Sequence, residues 1–157
     1  MNQPQTPLSP VASINVASRV LTRLNDRRLR PLGLTFGQVP VLAALSQIDA
    51  LPQKELVKLA RIEQPSMAQL LARMERDGLV RRTPSPKDHR VSMISLTEAC
   101  LAALPQALSA LQETNSGALK GFSAQEVDLL QDMLDRVLTN LETDLTRSAA
   151  ENDGNSR

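Results

Sequence analysis

The sequence predicts a mainly α-helical chain that carries one small β-hairpin. Three observations predict it. Apolar residues recur at spacings of three and four along most of the 157 residues. Aromatic side chains are nearly absent: only Phe36 and Phe122 occur, with no Trp or Tyr. A core built from Leu, Val, Ile, Met and Ala favours helices. The third observation is a single hairpin pattern. Leu79–Thr83 and Val91–Leu96 read as short strands, and the polar, proline-bearing stretch Pro84–Arg90 separates them.

The elements follow in order. Residues 1–10 hold three prolines and few hydrophobics and read as a flexible arm. A helix over 11–30 carries Ile14, Ala17, Val20, Leu21, Leu24 and Leu29, and Pro31 with Gly33 ends it. Thr35 and Gln38 have capping-box spacing and open a helix with Val39, Val41, Leu42 and Leu45. Pro40 falls early enough there to be tolerated. Ile48–Pro52 reads as a loop. Lys54–Arg61 is a short helix with Leu56, Val57 and Leu59 expected inward. Pro65 suits the first position of the next helix, which runs to about Asp77, and Gly78 suits its left-handed end. The hairpin follows. Thr97 caps a long helix to about Ala118, which Pro105 is expected to bend. Ser123 and Glu126 form another capping box before a last helix with Val127, Leu130, Leu134, Val137, Leu138, Leu141 and Leu145 on one stripe. Residues 148–157 are polar and expected to be disordered. The order helix, turn, helix, hairpin over 34–97 is that of a winged helix-turn-helix.

Charge is unevenly distributed. The net charge is +1. Residues 1–52 sum to +3, residues 53–95 to +4 and residues 96–157 to −6. A basic centre beside an acidic end suits a nucleic-acid face on a dimer scaffold, and chance clustering on a solvated surface produces the same gradient. One cysteine, Cys100, rules out an internal disulfide, and with the single His89 it cannot make a four-ligand zinc site. No metal or cofactor is expected. No catalytic residues are expected either: the chain has no Gly-rich phosphate loop, no paired carboxylates in a plausible cleft and no Ser-His or Cys-His arrangement. The start MNQPQTPLSP lacks a basic and an apolar region, and no apolar run is long enough to cross a bilayer. The expected location is the bacterial cytoplasm, at the nucleoid when DNA is bound.

The helix after Pro65 has two faces. Met67, Leu70, Leu71 and Met74 fall inward; Gln64, Ser66, Gln69 and Arg73 fall outward. Gln, Ser and Arg are residue types that hydrogen-bond base edges in the major groove, and a bland solvated face shows the same pattern. The hairpin tip adds Lys87, Asp88, His89 and Arg90, flanked by Arg81 and Arg82. A narrow minor groove attracts an inserted Arg. Asp88, two residues earlier, is placed to orient the Arg90 guanidinium. The alternative is an ordinary surface ion pair contributing little.

Three stretches carry a family resemblance: LRPLGLTFGQVPVLAAL (29–45), ELVKLARIEQPSMAQLLARMERDGLVRR (55–82) and DHRVSMISLTEAC (88–100). The chain resembles the MarR family of bacterial transcription regulators. The ordered signs are Leu-Thr-x-x-Gln before a Val-Leu-x-x-Leu helix, Gly-Leu-Val entering the wing, Asp-x-Arg and a closing Leu-Thr. Met74 replaces the usual leucine before Gly-Leu-Val, and Cys100 stands where the family often has glycine. The resemblance implies a triangular dimer whose helices over 11–30 and 98–147 interleave. It also implies that Pro65–Asp77 is the recognition helix, that Arg90 is a minor-groove arginine, and that the operator is pseudo-palindromic duplex DNA. The expected DNA contacts are Gln64, Pro65, Ser66, Gln69, Arg73, Lys87, Asp88, His89 and Arg90. The apolar stripes of the two terminal helices need partners in any case.

Many regulators similar to these take a small aromatic acid between the two lobes, and the sequence resembles the subgroup that controls nicotinate catabolism. The implied effector is a small aromatic carboxylate such as a hydroxynicotinate. Asn15, Arg19, Gln38 and Leu42 are its candidate ligands, with Arg19 as the carboxylate clamp. Arg19 in a dimer-interface salt bridge is the competing reading. Two further functions stay open: a redox-sensing repressor using Cys100, and a helical protein-interaction module that binds no DNA.

Overall fold

In the computed structural model, residues 9–154 are described, with side chains for 9–148. The arm expected over 1–10 lies outside them except for Ser9 and Pro10. Ser9 Oγ accepts the Ala12 N–H at 3.2 Å, and Pro10 opens the first helix, α1 (Pro10–Leu29). The chain divides into two units at Asn115/Ser116.

In the first unit, α1 gives way to a 3-10 turn, Arg30–Leu32, that Gly33 terminates at φ +71°. A second 3-10 turn, Phe36–Gln38, leads into α2 (Val39–Gln47). The expected reach of Gln38 is present: its Oε1 accepts the Thr35 N–H at 2.9 Å. Asp26 of α1 also caps this turn, accepting the Phe36 N–H at 2.7 Å. The segment read as a loop contains a strand. Leu51–Pro52, β1, pairs antiparallel with the hairpin, whose strands are β2 (Val80–Pro84) and β3 (Ser92–Leu96). The sheet order is β1-β3-β2, with Leu51 and Arg82 on either side of Ile94.

Helix α3 (Gln53–Ala60) corrects one inward assignment. Leu56 is fully buried and Val57 packs partly on the core, while Leu59 is 57% exposed. The reason is angular. At about 100° per residue, Leu56, Val57 and Ala60 centre the buried face, and Leu59 falls about 110° away from that centre. Helix α4 (Gln64–Arg76) buries Met67, Leu70, Leu71 and Met74, as its pattern predicts. These residues join Leu56, Ile94, Leu96, Val41 and Leu45 in one aliphatic core.

The end of α4 aims the hairpin. Gly78, at φ +72°, donates to Glu75 O at 3.0 Å, and Leu79 donates to Met74 O at 2.8 Å. This pair of bonds is the Schellman motif. Thr97 Oγ1 donates to Gly78 O at 2.7 Å, so the far end of the hairpin locks the same turn. No atom stands within 4 Å of a Cβ placed on Gly78, so a side chain there meets only backbone strain. Gly78→Ala is expected to destabilise the first unit by about 1–2 kcal/mol, measured by urea unfolding. A change below about 0.3 kcal/mol would contradict the strained-turn account.

Helix α5 (Glu98–Ala118) starts at the Thr97 cap, whose Oγ1 accepts the Cys100 N–H at 3.2 Å. It continues on both sides of Pro105. Arg28 of α1 pairs with Glu113 of α5 at 2.7 Å within the first unit. In the second unit, Ser123 and Glu126 form the expected capping box. Ser123 N–H donates to Glu126 Oε2 at 2.8 Å, and Glu126 N–H donates to Ser123 Oγ at 3.3 Å. These bonds hold the Glu126 carboxyl below its ordinary range. The last helix, α6, runs over Ala124–Gly154. It therefore passes the end expected at 147: the segment read as a disordered tail is helical as far as Gly154, because Ala149, Ala150 and Glu151 are good helix formers and no proline intervenes. Residues 155–157 lie outside the described residues.

Candidate nucleic-acid interface

Burying the Met-Leu face of α4 leaves the opposite face to solvent. Gln64, Pro65, Ser66, Gln69 and Arg73 are all exposed. Among the described residues Gln64, Ser66, Gln69 and Arg73 make no side-chain hydrogen bond or ion pair. The helix thus presents uncharged donors and acceptors at its start and one guanidinium farther along. Further on, Glu75 Oε2 accepts from Arg82 Nε at 2.9 Å, which ties the base of the wing to the helix. Sequence reasoning flagged Arg82 as a flanking charge and missed this partner, because no local spacing signals a helix-to-strand pair. Arg81 Nε donates to Ser95 Oγ across the hairpin at 3.1 Å.

The wing tip gives Asp88 a second role beside the expected one. Asp88 O accepts the Val91 N–H at 2.9 Å, closing a β-turn over His89 and Arg90. Asp88 Oδ1 accepts the Arg90 backbone N–H at 3.0 Å, the side-chain-to-backbone turn that Asp favours. The Arg90 guanidinium is only loosely associated, with Nε at 3.6 Å from Asp88 Oδ1. Ser85 braces the strand side of the loop: it donates to Val91 O at 2.8 Å and its Oγ accepts the Lys87 N–H at 3.3 Å. Asp88 thus shapes the backbone, and the Arg90 side chain, loosely paired with it, is 95% exposed. Lys87 and His89 are exposed beside it.

The candidate ligand set divides. Asn15 and Arg19 are exposed on α1. Gln38 is buried with its carbonyl oxygen already engaged by Thr35, and Leu42 is part of the core. Two of the four therefore face inward in this chain rather than lining an open site with Arg19. Cys100 is 1% exposed, and burial pushes its thiol pKa up. The start of a helix would pull the other way; desolvation wins. A peroxide sensor needs the opposite, an accessible thiol with depressed pKa. Cys100 is expected to alkylate slowly with iodoacetamide at pH 8 in the native protein and rapidly in urea. Equal rates in both would overturn the buried, protonated assignment.

A helix-turn-helix with a hairpin tied to its second helix invites comparison with known folds. Residues 32–91, from the turn after α1 through the wing tip, match the model of the MarR family. Over residues 32–91 the chain is similar to a MarR-family winged helix. The solved structures agree over a larger part of the chain. A probable transcriptional regulator from Pseudomonas aeruginosa is 28% identical, with a TM-score of 0.75 over 82% of this chain and 96% of that one. Mutant MarR from E. coli complexed with operator DNA is also 28% identical, with a TM-score of 0.73 over 80% of this chain and 91% of that one. A MarR-family regulator from Listeria monocytogenes, complexed with a 26mer DNA, is 21% identical and shares the fold at a TM-score of 0.76 over 88% and 92%. The MarR fold is mainly helical with a small antiparallel sheet, as the sequence predicts, and β1 is the strand the prediction lacked. Among the described residues no helix is long and apolar enough to cross a membrane.

Proposed function

We propose that this chain is a sequence-specific DNA-binding regulator of transcription, a repressor, and not an enzyme. One observation carries the proposal: α4 turns an unpaired Gln-Ser-Gln-Arg face outward while a rigid turn sets an Arg-tipped wing beside it. Gln64, Ser66, Gln69 and Arg73 would read base edges, with Pro65 fixing the helix start. Lys87, Asp88, His89 and Arg90 would approach the adjacent minor groove. The MarR structure solved with operator DNA, at 28% identity, supports the reading. The protein reported from Pseudomonas aeruginosa is likewise a probable transcriptional regulator.

The working species is a homodimer, with residues 11–30 and 98–147 as the pairing lobe and 34–97 as the DNA-binding lobe. Exposed aliphatic residues on two helices support this. Val11, Val16, Val20 and Leu24 of α1 and Leu129, Met133, Leu138, Leu141 and Leu145 of α6 are 37–72% exposed. Apolar stripes of that kind mark interaction surfaces. A two-fold dimer reads a pseudo-palindrome with half-sites about one helical turn apart.

The effector is a small aromatic carboxylate such as a hydroxynicotinate, with the exposed Arg19 as its clamp and Asn15 beside it. An interaction module without DNA binding leaves the exposed α4 face and the exposed Arg90 without a use. The test is selection of bound sequences from random duplex DNA, followed by affinity against salt. The logarithm of the affinity should fall by about 0.9 per phosphate contact for each tenfold rise in salt. Absence of any selected sequence would sink the proposal. In the same assay a hydroxynicotinate should release DNA from the wild type and not from Arg19→Ala.

A further inference from the structure

Arginines on and just beyond the last turns of α1 form a second charged surface, separate from the α4 face. Arg23, Asp26 and Arg27 of α1, with Arg30 of the following turn, line an open basin of about 420 Å³. That volume lies in the range of small-molecule sites, about 300–1,000 Å³. Positions 23, 27 and 30 are four and three apart, so their side chains share one face.

The three guanidiniums are not neutralised by the fold. None of them makes a side-chain hydrogen bond or ion pair among the described residues. Arg28, between them in sequence, points elsewhere and pairs with Glu113 at 2.7 Å. The one carboxylate in the basin, Asp26, already accepts the Phe36 N–H at 2.7 Å. Three guanidiniums and one carboxylate leave a formal charge of +2. Like charges on one helix face repel, and a bound anion would relieve that repulsion.

The geometry selects among anions. A monocarboxylate is satisfied by one bidentate guanidinium, which would leave two arginines unanswered. A phosphate group carries close to two charges and three acceptor oxygens, enough to engage several planar forks at once. We propose that the Arg23, Arg27 and Arg30 basin binds a phosphate-type polyanion. Its wall at Asp26 caps the turn that opens α2, so an occupant sits against the entry to the DNA-binding lobe.

The test needs no operator, so it can fail or succeed independently of the DNA-binding proposal. Inorganic pyrophosphate is titrated calorimetrically into the full chain at low salt, with the assembly state checked by sedimentation. The wild type should bind saturably. The Arg27→Gln, Arg30→Gln double variant should bind at least about tenfold more weakly, while Arg136→Gln binds as the wild type does. All three should melt alike, because the substituted side chains are exposed and unpaired.

Absence of saturable binding, or equal binding by the double variant, would overturn the proposal. So would a double variant that falls apart as an assembly, since the basin would then be a contact between copies. A second arm locates the source of the phosphate, using a duplex selected from random DNA. If the phosphate belongs to DNA, pyrophosphate competes with the duplex and the double variant has a shallower salt dependence. If it belongs to a small molecule, duplex binding by the double variant without pyrophosphate equals that of the wild type. Both outcomes support phosphate recognition in the basin.

Discussion

Leu71→Ala is expected to destabilise the first unit by about 2–5 kcal/mol. Leu71 is fully buried on the inner face of α4, in one core with Met67, Met74, Leu56 and Ile94. Truncation removes its transfer free energy and leaves a cavity that a helix fixed at both ends closes only in part. The lower bound is already a large share of the 5–15 kcal/mol that holds an ordinary domain. Urea unfolding of the full chain, followed by far-ultraviolet circular dichroism, measures it. Leu59→Ala is the matched control: same chemistry, one helix earlier, on an exposed face. It should change stability by no more than about 0.5 kcal/mol. A loss below 1 kcal/mol at Leu71, or equal losses at both positions, would contradict the packing described here. DNA binding should weaken in the Leu71 variant through a smaller folded population, with no change in which sequences are preferred.

The contrast between these two leucines marks where sequence pattern suffices. On α4, four inward positions, 67, 70, 71 and 74, keep the three-and-four spacing of one helix face, so the face is over-determined and legible. On α3, eight residues give barely two turns, and Leu59 sits at the margin of the stripe, where a single apolar residue decides nothing. The stop at Gly78 was legible because a left-handed residue is needed and glycine supplies it. The stop of α3 was not, because Arg61 takes the same left-handed conformation at φ 52° and nothing in its type announces it. Strand β1 was hidden for a similar reason: two residues, one of them a proline with no N–H to donate, are defined only by their partner Met93–Ile94. The DNA-facing residues were legible as a pattern of types and spacings. Their supports were not, since Glu75 with Arg82 and Asp26 with Phe36 join one element to the next across a turn, where no helix or strand period applies. Gln38 and Leu42 of the expected ligand set lie inside this chain, Gln38 with its carbonyl oxygen bonded to the Thr35 N–H as its capping-box spacing predicts.

Arg90→Ala is expected to weaken operator binding by about 1–3 kcal/mol, the scale of one well-made base-edge contact. That corresponds to roughly five-fold to 150-fold in affinity. The residue has nothing else to do in the fold: its side chain is 95% exposed and its one ionic neighbour is at 3.6 Å. Thermal stability and assembly should therefore be unchanged. Asp88 allows the role of the tip to be divided. If the carboxylate worked mainly by orienting the guanidinium, Asp88→Asn and Asp88→Ala would be equally harmful, because both remove the charge. The geometry predicts otherwise. Asp88 Oδ1 accepts the Arg90 backbone N–H at 3.0 Å, and an asparagine side chain supplies the same carbonyl acceptor. Asp88→Asn should keep the turn and bind DNA at least as well as the wild type, since it also removes a negative charge from a surface facing phosphates. Asp88→Ala should lose the turn and most of the Arg90 contribution with it. In the Arg90→Ala background, Asp88→Ala should then cost little more, because the two substitutions act on one contact. Affinities of the four variants for one selected duplex at one salt concentration decide the matter. Equal losses for Asp88→Asn and Asp88→Ala would mean that charge, and not the shape of the turn, places the arginine.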